Sequence, residues 1–117
     1  IHFAGAAGLD IRGTEVLGSV HTGDEALEVV AALVQMYREQ ARYLERIYKW
    51  ARRIGVEEIR RQVMADTGRR TEYFGRFVHS QKFAQVDPWA ERVAGKDRHE
   101  FHPLALARPR GAAELTP

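Results

Sequence analysis

The sequence predicts an α+β fold, mostly α: a short N-terminal two-strand element, then a long helix or bent pair of helices, then two to three shorter helices. Three observations predict it. Residues 1–21 hold two short apolar runs separated by glycine. Residues 22–54 carry apolar side chains at alternating spacings of three and four. Beyond them, Gly55, Asp66-Thr67-Gly68, Asp87-Pro88 and Gly95 punctuate shorter amphipathic stretches. These signals divide the chain into strands at 1–21, helices at 22–95 and an extended tail at 96–117.

The first strand runs from Ile1 to Ala4 and ends in Gly5-Ala6-Ala7-Gly8; the second covers residues 15–20, with a turn at Gly13. Two strands alone are marginal in water, so they are expected to complete a larger sheet or to pack on the helices. Thr22 and Glu25 have capping-box spacing, and Asp24 and Glu25 suit the positive end of a helix dipole.

From there one stripe links Leu27, Val30, Val34, Tyr37, Ala41, Leu44, Tyr48 and Ala51. A second links Leu33, Met36, Tyr43, Ile47, Trp50 and Ile54. Two stripes predict a broad buried face on one long helix, or on two with a bend near Tyr43, ending at Gly55 in a left-handed cap. Val56, Ile59, Val63 and Met64 outline a third helix; Tyr73, Phe74, Phe77, Val78 and Phe83 outline a fourth. Asp87 as N-cap with Pro88 at N1 starts a last turn carrying Trp89, Ala90 and Val93, closed by Gly95.

A length of 117 residues suits one domain with a modest core. With no cysteine, disulfides, thiolate metal sites and cysteine nucleophiles are excluded within the chain. No stretch reaches the roughly 18 to 20 apolar residues of a membrane span. An opening apolar run at Ile1, with no charged region before it, is expected of a piece of a longer chain and not of a signal peptide.

The net charge is only +2, yet residues 38–76 hold eleven Arg/Lys against six Asp/Glu. That excess is read chiefly as a solvated helix face. The competing reading is a stand-alone helical interaction module docking an acidic partner through Arg52, Arg53, Arg60 and Arg61. No nucleic-acid platform is expected, because aromatics do not interleave with the cations.

No catalytic, cofactor-binding or metal-binding residue is assigned in this chain. His99 and His102 form an H-x-x-H, but no further ligand accompanies them and Pro103 disfavours a helix there. His2, His21 and His79 stand isolated. Gly5-Ala6-Ala7-Gly8 lacks the third glycine of a dinucleotide loop and the Lys-Ser/Thr of a P-loop. Ser19 and Ser80 have no nucleophile-elbow context. Asp24-Glu25 and Glu57-Glu58 are read as helix-start carboxylates. The aromatics Tyr37, Tyr43, Tyr48, Trp50, Tyr73, Phe74 and Phe77 are read as core.

The run from Met36 to Arg46 (Met-Tyr-Arg-Glu-Gln-Ala-Arg-Tyr-Leu-Glu-Arg), followed by Trp50, Arg53 and Gly55, resembles the C-terminal region of the large subunit of assimilatory NAD(P)H-dependent nitrite reductases, in the siroheme/[4Fe–4S] nitrite/sulfite reductase family. The run Phe83-Ala84-Gln85-Val86-Asp87-Pro88-Trp89-Ala90-Glu91-Arg92 is its most specific element, and His99-Glu100-Phe101 extends it. The resemblance covers residues 1–104. It implies a six-electron reduction of nitrite to ammonia, with electrons passing from NAD(P)H through FAD to a [4Fe–4S] cluster and siroheme. It further implies that the cluster cysteines lie upstream, and that this chain is a non-catalytic C-terminal segment; the cysteine-free composition fits a cytoplasmic protein. The rest of the large subunit is the implied partner, with a small subunit and a homo-oligomer as further candidates. Sulfite reductase is the related alternative, disfavoured by the helical extension after Gly55. Family members often carry a proline just before the tryptophan matching Trp50; Lys49 stands there here. That favours a continuous helix over residues 24–54.

Overall fold

The structure is a computed structural model describing residues 1–96 and Arg98. It is α+β and mostly helical, with two small two-stranded sheets at the N-terminus followed by helices. Four two-residue strands replace the two expected: β1 (His2–Phe3), β2 (Ala6–Ala7), β3 (Ile11–Arg12) and β4 (Glu15–Val16). β1 pairs antiparallel with β4 and β2 with β3. The registers His2↔Val16, Phe3↔Glu15, Ala6↔Arg12 and Ala7↔Ile11 are all continuous with one another. Residues 1–17 are therefore one hairpin whose ladder is interrupted midway.

The interruption falls where Ala4 takes a positive φ of 62° and where Gly5 faces Thr14. A Cβ on Gly5 would lie 2.9 Å from Thr14 Cγ2, so any other residue there would force the Thr14 side chain to shift. At the open end, Leu17 N–H donates to the Ile1 carbonyl (2.8 Å) and the Ile1 amine to the Gly18 carbonyl (2.8 Å). Phe3, Ala4 and Leu17 are the residues by which the hairpin enters the core.

Helix α1 (Gly23–Gln40) begins as the capping residues require: Thr22 Oγ1 accepts from Glu25 N–H. The Glu25 carboxylate accepts from His21 N–H, one residue further back than a capping box places it. The expected continuous helix over 24–54 does not form. α1 stops at Gln40, Ala41 turns extended, and Leu44 takes a positive φ of 60° before α2 (Ile47–Ile54) begins.

Side chains outside that stretch hold the break. Arg53 donates to the Gln40 carbonyl (3.1 Å), satisfying a helix-end acceptor, and clasps both Glu45 oxygens (2.9 and 2.7 Å). The Tyr37 hydroxyl donates to the Glu45 carbonyl. The bend at Tyr43 is thus real, with no proline involved. Tyr43 and Leu44, expected in the buried stripes, are instead exposed.

Gly55 ends α2 with φ 97° and ψ 129°, a positive-φ cap but not a left-handed helical one. Nothing lies within 4 Å of a Cβ built there, so substitution would cost backbone strain alone. Gly55→Ala is expected to destabilise the chain by about 1–3 kcal/mol in urea unfolding.

Helix α3 (Val56–Arg60) continues into a π-helical turn, Arg61–Ala65. α4 follows (Thr67–Ala84). Trp50, Leu17, Met36, Ile59, Val29 and Val63 are fully buried at the centre. A polar thread crosses this core: Gln40 donates to the Tyr73 hydroxyl (3.0 Å), Tyr73 to Gln62 (3.0 Å) and Gln62 to Glu58 (2.7 Å). It satisfies the buried tyrosine and glutamine together.

Ile1–Phe83 form one compact unit, and a second begins at Ala84. Within the second, α5 (Pro88–Val93) starts as expected, with the Asp87 carboxylate accepting from Trp89 N–H (2.9 Å) and Pro88 in the first turn. Gly95 follows with φ 72°. Trp89 and Val93, one turn apart, are exposed. The expected tail and the His99/His102 pair lie outside the described residues, apart from Lys96 and Arg98.

Candidate docking surface

α1 is apolar on nearly every side. Between residues 26 and 37 only Glu28 and Gln35 are strongly polar. Val29, Ala31, Ala32, Leu33, Gln35 and Met36 are buried. The opposite strip, where a surface helix carries charge, presents Leu27 (67% exposed), Val30 (43% exposed) and half-buried Val34. A helix apolar all round belongs inside a larger body.

Val34 also opens the strip onto a groove of about 950 Å³. Its walls are residues 5–10 of the hairpin, Val34 and Tyr37 of α1, and Leu44 with residues 46–49 at the start of α2. The small residues of Gly5-Ala6-Ala7-Gly8, considered above for phosphate binding, instead build β2 and one wall. Leu9 and Ile11 at the hairpin tip are exposed. Across Tyr48 lies a smaller cavity of about 260 Å³ lined by Arg12, Glu15, Arg52 and apolar residues. The Tyr48 hydroxyl donates to Asp10 (3.3 Å), joining hairpin to helix between the two.

The structure sorts the basic excess sharply. Arg53 pairs with Glu45 (2.7 Å), Arg61 with Glu58 (2.6 Å), Arg76 with Glu39 (2.6 Å) and Arg70 with Glu28 (3.6 Å). Arg60 pairs with Glu57 and also donates to the Val16 carbonyl (2.7 Å), tying α3 to β4. Of the four arginines named for an acidic partner, only Arg52 is left without a carboxylate. Among the described residues Arg12, Arg46, Lys49 and Arg52 form no ion pair and line the two cavities; Arg38, Arg42 and Lys82 form none either but lie outside them.

Glu45 is held down to about 2, first by its hydrogen bonds from Arg53, against some desolvation. Glu58 is likewise held at about 2, chiefly by Arg61 and then by Gln62. Glu39 is lowered by Arg76. A carboxylate lowered in the folded state contributes stability that is complete above its unfolded pKa, 4.5, and is lost as pH falls through the folded value. Stability is therefore expected to fall between pH 4.5 and about 2, with less of that slope in Glu45→Gln; acid titration followed by circular dichroism checks it.

Among the described residues the remaining candidates hold no shared site. His2 Nδ1 lies 3.0 Å from Thr14 Oγ1, and the His79 ring packs edge-on to Phe83. Ser80 accepts from Arg38 (3.0 Å) and donates to the Phe77 carbonyl (2.7 Å). No three metal-capable side chains converge among the described residues. Of the aromatics, Trp50 and Tyr73 are buried, Tyr37, Tyr48, Phe74 and Phe77 half-buried, and Tyr43 exposed. Sequence reading singled out Leu27, Val30 and Val34, but as part of a buried face, and it did not single out the groove cations Arg46 and Lys49. The near-continuous apolarity of residues 26–37, broken only at Glu28 and Gln35, was the available signal that both faces of the helix need cover.

The model of the nitrite and sulphite reductase 4Fe–4S domain matches residues 1–71. The chain belongs to this family. It is 33% identical over 96 residues to a nitrite reductase [NAD(P)H] of Bacillus subtilis (strain 168), a match covering 82% of this chain and 12% of that protein. It is also 33% identical over 60 residues to an assimilatory nitrate reductase electron transfer subunit of the same organism, covering 51% of this chain and 8% of that protein. The chain thus spans roughly a tenth of the length of these relatives. No solved structure matches it.

An iron–sulfur cluster of this family does not fit the residues present: thiolate ligation needs cysteine, and the 117 residues contain none. No helix among the described residues is long and apolar enough to cross a membrane.

Proposed function

We propose that the chain is a C-terminal structural segment of a nitrite reductase large subunit, non-catalytic by itself. The intact enzyme would reduce nitrite to ammonia in the cytoplasm with NAD(P)H, FAD, a [4Fe–4S] cluster and siroheme. One observation carries the reading: a cysteine-free chain matches a 4Fe–4S domain over residues 1–71, so cluster ligands have to come from elsewhere in the protein. The 96-residue match to a nitrite reductase cannot fit within those residues, which favours nitrite over sulfite as substrate.

On this reading residues 1–21 end the reductase sheet and residues 22–95 support it from outside the cofactor site. The open apolar strip of α1 supports the same reading, because a helix of that composition needs a covering partner. The test is the intact polypeptide that contains the chain. It is expected to hold four upstream cysteines in two pairs, to show siroheme and cluster absorbance, and to oxidise NAD(P)H when nitrite is added. A purified intact protein with no cluster and no upstream cysteines would overturn the proposal.

A further inference from the structure

The groove under the hairpin tip has properties that a solvent-facing cleft would not need. Its floor is apolar, with Val34, Ile47 and Leu44. Leu44 is held at φ 60° while 81% exposed, so the fold accepts backbone strain to point a leucine away from its own core. The rim is cationic: Arg46 and Lys49 sit at the start of α2, where carboxylates ordinarily stand, and α2 has no acidic residue in its first turn. Asp10, the acid lining this groove, is engaged by Tyr48.

The remaining cations of this face repeat the pattern. Arg12 and Arg52 flank the second cavity with Glu15 beside them, and neither forms an ion pair. Elsewhere six arginines pair with carboxylates among the described residues, while Arg38 bonds to the neutral side chains of Gln35 and Ser80. Two of the cations without a carboxylate partner, Arg46 and Lys49, thus stand together on the rim of one apolar groove. An occupant complementary to it carries apolar side chains for the floor and carboxylates for the rim.

We propose that this groove seats an acidic, apolar segment of the cluster-bearing part of the same polypeptide, with carboxylates on Arg46 and Lys49 and apolar side chains against Val34, Leu44 and Ile47. The inference rests on the proposed function, since it takes the occupant from the intact reductase. A covalently linked occupant needs little affinity of its own, because its effective concentration is high. Charge then sets its register more than its strength.

Carbodiimide coupling of the intact polypeptide tests it, because this reagent joins an amine to a carboxylate in contact with it. This chain contributes only three lysines, Lys49, Lys82 and Lys96, so the products that involve its own amines are few and separable by peptide mapping. Lys49 is expected to couple to an Asp or Glu upstream of Ile1 within one molecule, and to react at least ten-fold more slowly with an amine-acetylating reagent than in the urea-unfolded protein. Lys49→Arg keeps the charge and should abolish that product without changing the visible absorbance. Arg46→Glu combined with Lys49→Arg should expose the upstream segment to limited proteolysis.

Lys49 acetylated in the folded protein as fast as in the unfolded one overturns the proposal. So does a product that joins Lys49 to a second copy of the chain. The two readings separate cleanly: a polypeptide without cluster absorbance sinks the proposed function, whereas a cluster-loaded polypeptide with a freely reactive Lys49 sinks the docking alone.

Discussion

Trp50→Ala is expected to destabilise the chain by about 3–5 kcal/mol, the range for deleting a fully buried tryptophan. Trp50 is 0% exposed and belongs to the buried cluster that joins the hairpin, α1, α2 and the later helices. Its ring meets Tyr37 edge-on at 5.4 Å, and Tyr37 in turn reaches the Glu45 carbonyl that fixes the α1–α2 break. Removing the indole therefore opens a cavity and loosens the clasp above it. Small domains are stable by only about 5–15 kcal/mol, so a melting temperature lower by more than about 10 °C should follow.

Trp50→Phe should be milder. The indole Nε1 makes no hydrogen bond among the described residues, so phenylalanine gives up apolar contact but none of those polar partners. Thermal unfolding of the two variants decides the matter; a loss below about 1 kcal/mol in Trp50→Ala would show the site collapsing around the gap.

How much of this fold was legible beforehand depends on whether a feature is local. Thr22, Asp87-Pro88 and Gly55 act within a few residues of themselves, and each marks a helix boundary where the structure has one. The break at residues 41–46 was read the wrong way from Lys49, because its cause is distant. Arg53 reaches back to Gln40 and Glu45, and no proline or glycine lies in the break to announce it. The two stripes also had the right period but the wrong fate at several positions. Periodicity says which side chains share a face, not whether that face meets a partner within the chain; Leu27, Val30 and Tyr43 are exposed for that reason.

The docking surface was legible only in part, for the same physical reason. The excess of cations over residues 38–76 is visible as a count, but which of them remain unpaired is a property of tertiary geometry. Arg60 and Arg61 find carboxylates on neighbouring turns, whereas Arg12, forty residues from Arg52 in sequence, joins it at one cavity only through the fold. Nothing in the spacing of charges along the chain predicts that meeting.

Leu17→Ala should cost about 2–5 kcal/mol, and it tests whether the hairpin is part of the core or an appendage. Leu17 is 1% exposed, follows β4 directly, and fastens the open end of the ribbon through its backbone bond to Ile1. A two-stranded ribbon with two-residue ladders has little stability of its own, so it persists only by what it buries on the helices. Loss of Leu17 should then release the hairpin before the helices unfold, seen as early hydrogen exchange at residues 2–16 with most helical signal retained. Leu9→Asp supplies the contrast. Leu9 is 108% exposed at the tip, so its loss should leave the stability of the isolated chain within about 0.5 kcal/mol of the parent. If Leu9→Asp destabilised the chain as much as Leu17→Ala, the tip would already be covered by this chain's own residues, and the groove beside it would have no room for an occupant from elsewhere.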